Sequence, residues 1–124
     1  METLLLIGIG GFIGANLRYA VSLWAAARFG AAFPWGTLVI NFTGSLLLAV
    51  FVGWLSSRPA VDPRLRLLVA VGFFGAYTTY STFSVESVML FQSGNWLGAL
   101  QNIAGTTLVC ILGALAGLTL GARL

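Results

Sequence analysis

The chain has 124 residues, of which 59% are hydrophobic and 7% charged, and its mean hydropathy is +0.99. A soluble domain carries about 25% charged residues, so these figures exclude one and leave a multi-pass membrane protein with residues 1–124 as a single domain. The net charge of +3 comes from six arginines against Glu2, Asp62 and Glu86, too little and too dispersed for a nucleic-acid partner. Histidine is absent and the single Cys110 lies in an apolar run, so zinc and haem ligand sets are missing. No nucleophile, base and orienting group recur in a catalytic pattern, and the chain does not read as an enzyme.

Met1-Glu2-Thr3 lacks the basic start of a signal peptide, and the apolar stretch behind it is too long for one, so it is expected to be a retained helix. Four segments approach the ~20 residues that cross ~30 Å of hydrocarbon. They run roughly Leu4–Ala27, Gly36–Leu55, Leu67–Phe91 and Leu97–Leu120. Gly30 and Pro34, then Pro59 and Pro63, then Gly94 and Asn95 separate them. Trp24, Trp35, Trp54 and Trp96 fall near segment ends, as an interfacial belt does. Both termini then share a side with Arg58, Arg64, Arg66 and Arg123, a modest bias toward cytoplasmic termini. Gly10 and Gly14, and Gly113, Gly117 and Gly121, have the spacing of close helix packing.

Polar groups at membrane depth are the unusual feature. Six of the seven residues from Thr78 to Ser84 carry a hydroxyl, and the seventh is Phe83. Each unsatisfied polar group in hydrocarbon costs on the order of several kcal/mol, so this run needs partners. In the second segment Thr37, Asn41 and Ser45 share one helix face. Glu86 is the one acid inside a predicted span, either facing protein or water or lying near the interface. Arg18 reads as a snorkelling anchor or as an electropositive vestibule. Two arrangements fit Gly72 to Ser84. One is a regular helix whose hydroxyls bond back to the i−4 carbonyl. The other is a break after Gly75 that frees carbonyls able to hold a cation. In the fourth segment Asn102, Thr106 and Cys110 form a weaker stripe beside Thr107.

Four helices cannot enclose a water-filled channel and still pack. A pathway must be narrow or run between subunits. A lining of hydroxyls, an amide and ring edges, with partial positive charge at the edges, suits a small anion that hydrogen-bonds strongly.

These residues carry a resemblance. Gly10-Gly11-x-x-Gly14-x-x-x-Arg18-Tyr19, Gly36-Thr37-Leu38-x-x-Asn41 and the run from Gly72 to Glu86 resemble the small bacterial fluoride channel family, Fluc or CrcB. The resemblance covers the whole chain. It implies an all-α protein of four transmembrane helices, the third broken near Gly75–Tyr80, in an antiparallel, dual-topology homodimer of the bacterial inner membrane. It implies fluoride-selective passive export through pores lined by Asn41, Tyr80, Ser81, Thr82 and Phe83, with Thr37, Glu86 and Thr107 near a polar track. A structural sodium ion at the two-fold axis, held by the carbonyls of Gly75 and Thr78, is also implied. Tyr80 departs from the family's phenylalanine, and Ile103 and Ile111 depart from its hydrogen-bonding positions. The competing reading is a proton-coupled small multidrug exporter, for which Glu86 would be the essential acid; that class expects its acid in the first span, where this chain has Arg18.

Overall fold

Proline, glycine and asparagine punctuate the apolar segments, and the helices stop and start on them. A computed structural model describes residues 1–124 and contains helices without strands. Helix α1 spans Glu2–Phe29 and ends at Gly30, whose φ of +81° suits a residue without Cβ. Helix α2 spans Trp35–Ser56, directly after Pro34. Helix α3 covers residues 63–77 and α4 covers Tyr80–Gln92. Gly94, with φ +84°, turns the chain. Asn95 then caps α5, Trp96–Arg123, by accepting from the Gly98 N–H at 2.9 Å.

Helices α1, α2 and α5 are long and apolar enough to cross a membrane. The third segment is interrupted, and its halves of roughly 22 and 20 Å are each too short to cross alone. It begins earlier than the expected Leu67. Pro63 occupies the first helical position, and the Asp62 side chain accepts from the Arg64 N–H at 2.9 Å. The Asp-Pro pair is a helix start, so Pro63 opens the segment and does not belong to the loop.

Glycine decides which helices touch closely. On α1, a Cβ at Gly10 or Gly14 would strike the α3 backbone at Leu68 or Phe73, and Gly72 of α3 answers Gly10. On α5, Gly117 and Gly121 lie against the α2 backbone at Leu46 and Val50, and Gly53 of α2 lies against Leu118. The small-residue spacing therefore serves helix packing. Replacing Gly14 by leucine drives a side chain into the Phe73 carbonyl, an overpacking cost on the order of 3 kcal/mol or more. Gly14→Leu is expected to elute as aggregate in detergent gel filtration. Gly105→Ala, where nothing lies within 4 Å of the added atom, should elute as the parent does.

Ile40, Phe74 and Tyr77 are the buried apolar contact between α2 and α3. The Tyr77 ring stacks on Phe73 at 5.9 Å, and its hydroxyl lies 2.9 Å from Thr43 Oγ1. At one end of the bundle Arg64 pairs with Glu2 at 3.1 Å. There Arg58 donates to the Leu124 carbonyl at 2.8 Å and lies over the Trp54 ring. Both termini and the 57–62 turn thus share one end. Trp24, Phe29, Phe33 and Trp35 cluster at the other.

Candidate functional site

The third segment breaks at Thr78 and Thr79, inside the expected interval. Thr78 has ψ 159° and Thr79 has φ −152° and ψ 111°, both extended. Asn41 of α2 holds the break open. Its Nδ2 donates to the Thr79 carbonyl at 2.9 Å, and its Oδ1 accepts from the Thr79 N–H at 2.8 Å. In a continuous helix that N–H would bond to Gly75 O. The Gly75 carbonyl is left without its helical donor. The Thr78 carbonyl loses its own for a similar reason, since Thr82 N–H donates to Thr79 Oγ1 at 3.2 Å. Gly44 gives the Thr78 methyl group the room it occupies.

Thr79 is the centre of the hydroxyl run. Its Oγ1 donates to Thr82 Oγ1 at 2.9 Å and lies 3.4 Å from Ser81 Oγ. By accepting from Thr82 N–H it also caps α4. Thr79 is buried. Sequence reasoning singled out its neighbours and missed Thr79 itself. The available signal was a Thr three residues before Thr82 at a helix start.

Two clefts meet at Thr79. One, of about 330 Å³, is lined by Asn41, Thr79, Tyr80, Phe83 and Thr107, with Ser45 and Cys110 behind them. The other, of about 230 Å³, is lined by Arg18, Thr37, Thr79, Thr82 and Glu86. Ser22, Thr37 and Glu86 also line a wider cavity of about 440 Å³ reaching the 30–36 turn and the end of the bundle. The expected site residues therefore fall into two groups joined by one threonine. Ser81 lines neither cleft and is exposed beside Thr79. Ile111 lines the first cleft and Ile103 does not. Arg18 faces the second cleft and does not reach away along lipid alone.

Several donor hydrogens around the break are free. Asn41 Oδ1 is occupied by Thr79 N–H, while one of the two Nδ2 hydrogens remains. Thr82 Oγ1 accepts from Thr79, which leaves its own hydrogen to donate. Thr82 lines the second cleft, while the Tyr80 phenol and the Thr107 hydroxyl add two donors on exposed residues of the first, beside Asn41. The Tyr80 and Phe83 rings lie 5.8 Å apart, tilted by 44°. Such a lining solvates an anion. Glu86 is the exception: its Oε2 is buried without a hydrogen-bond partner, near Thr37.

Residues 5–118 match the family described as CrcB-like protein, camphor resistance. The chain belongs to the CrcB family. It is 44% identical over 109 residues to a fluoride-specific ion channel FluC of Koribacter versatilis, covering 88% of this chain and 86% of that one. A protein of the same name from Shewanella woodyi is 46% identical over 111 residues, covering 90% and 89%. One from Sorangium cellulosum is 40% identical over 124 residues, covering 100% and 98%. These relatives of the CrcB chain are named as channels, not as enzymes or drug exporters. Membership and three membrane-crossing helices make it a multi-pass membrane protein.

Proposed function

We propose that this chain is the subunit of a fluoride-selective channel that lets cytoplasmic fluoride leave down its electrochemical gradient. The observation that carries the reading is the set of free donors around the Asn41–Thr79 break. Fluoride is small and surrenders its water only to short, strong hydrogen bonds. The spare Asn41 N–H, the Thr107 hydroxyl, the Tyr80 phenol and the rings of Tyr80 and Phe83 supply such a shell in the first cleft, and the Thr82 hydroxyl continues it into the second. Chloride, being larger, gains less from each donor. No cation is fixed in the lining between Tyr80 and Phe83, so an ion that enters can also leave. Arg18 at the second cleft concentrates anions, with Thr37 and Glu86 along the route to the surface. Fluoride enters cells as HF, ionises and is trapped; a passive leak suffices to release it.

In this reading α3 and α4 together form the third of four spans, and the channel is an antiparallel, dual-topology homodimer of the bacterial inner membrane. Tyr80 is 81% exposed, and Ser81 and Thr107 are exposed near it. Left to lipid, these polar groups would each cost on the order of several kcal/mol. A second copy covers them and completes a pore whose first wall is the cleft described above. Antiparallel pairing also sets the Arg58, Arg64, Arg66 and Arg123 end of each copy beside the Arg28 end of the other, so the charge bias cancels. The carbonyls of Gly75 and Thr78 have lost their helical donors, and Gly75 lies exposed. Two-fold related pairs of such oxygens suit a hard cation such as sodium, which would neutralise the carbonyl oxygens at the centre of the dimer.

Purified protein in liposomes tests the reading. Fluoride efflux through the protein should exceed chloride efflux by more than about a hundredfold, a difference of roughly 2.7 kcal/mol. Chloride leaving as fast as fluoride refutes selectivity. The proton-coupled exporter has no comparable support, because the one intramembrane acid lies in the third segment and the relatives are named for fluoride.

A further inference from the structure

Behind Phe83 runs a buried polar chain that reaches the cleft only at Thr106. Asn102 of α5 is fully buried, and Thr106 and Ser87 are nearly so. Thr106 Oγ1 donates to Asn102 Oδ1 at 3.1 Å. Asn102 Nδ2 donates to Ser87 Oγ at 2.9 Å. Ser87 Oγ donates to the Phe83 carbonyl at 2.7 Å. Each hydroxyl has one hydrogen, so the order of donation is fixed along the relay, and the Asn102 amide has one orientation.

We propose that Asn102, through Ser87, is a positioning residue for Phe83. The inference rests on the fluoride-channel reading. Two features make the relay more than helix glue. It ends on the backbone of the residue whose ring lines the cleft, and it begins at Thr106, which lines the same cleft from α5. The two walls are therefore tied in register behind the lining. Residues 101–106 also wind with wider, i→i+5 turns, a rare local geometry that recurs at functional sites. It lies where α5 presents both Asn102 and Thr106 to the interior. A satisfied buried network of this kind holds one arrangement of its helices. A sub-ångström shift of the Phe83 ring is enough to spoil an edge contact with a small ion.

The test is fluoride efflux from liposomes for Ser87→Ala and Asn102→Ala, each alone and combined with Phe83→Ile, with gel filtration of every variant. Asn102→Ala risks misfolding, so Ser87→Ala, which removes one oxygen, carries the test. With Phe83 present, Ser87→Ala should lower fluoride efflux about fivefold, a typical size for a residue acting through another. In the Phe83→Ile background it should have no further effect. A structural role would lower both equally; an equal loss in the two backgrounds, or unchanged efflux with Phe83 present, overturns the inference. If the parent protein itself moves no fluoride, the channel reading falls first and takes this inference with it.

Discussion

Replacing Asn41 by alanine should abolish fluoride efflux and lower stability by about 2–4 kcal/mol. The side chain makes two hydrogen bonds to one buried residue, Thr79, and both its N–H and its carbonyl are orphaned when the amide is removed. Each orphaned buried group costs about 1–3 kcal/mol, somewhat offset because chains inside a membrane find other partners. Here the alternative partner is specific. Thr79 N–H can return to the Gly75 carbonyl by winding the helix through Thr78 and Thr79. A continuous helix would rotate Tyr80 and Phe83 away from Asn41's wall and occupy the carbonyls that the break sets free. The variant should therefore lose fluoride efflux even where it still folds. A thermal melt in detergent reads the stability loss and liposome efflux reads the flux. An Asn41→Ala protein that conducts like the parent would show that the amide neither holds the break nor lines the path.

The second large effect is expected at Phe83. Phe83→Ile should slow fluoride at least tenfold, equivalent to about 1.4 kcal/mol on the barrier, while the protein elutes at the parent's position in gel filtration. Isoleucine keeps most of the apolar volume of this half-buried residue, so the packing penalty stays near 1 kcal/mol. It lacks a ring, whose partially positive edge is what the proposed path uses at this cleft-lining position. Tyr80, at 5.8 Å, cannot supply the second edge alone. Unchanged flux would remove Phe83 from the pathway.

Much of the fold was legible because lipid imposes strong rules. Length, hydropathy and the Gly30, Pro34, Gly94 and Asn95 punctuation located the helices, with ends off by a few residues. The largest displacement was at Pro63, where a residue that stops a helix in mid-chain instead starts one after Asp62. The glycine stripes foretold backbone contact but not which helices would meet, since spacing names a face and not its partner. The break in the third segment was one of two open arrangements. What settles it in the structure is Asn41, thirty-eight residues away in sequence from Thr79, a pairing that local propensity cannot express. Asn41 was expected to line a path, and it does border a cleft, but most of its bonding capacity is directed at the backbone. Thr79, Ser87 and the Ser87–Asn102 bond went unseen for a related reason. A hydroxyl that bonds inside the protein and one that faces a cleft look alike in a string of letters.

The break has one further effect. The carboxyl end of α3 and the amino end of α4 meet at Thr78 and Thr79. A helix carries a macrodipole, equivalent to about half an elementary charge of each sign at its two ends. In an unbroken span those poles lie at the membrane surfaces, where water and salt screen them. Here an interruption of two residues brings a negative and a positive pole to the middle of the span, beyond the reach of electrolyte. Backbone alone thus sets fields of opposite sign at neighbouring points of the span.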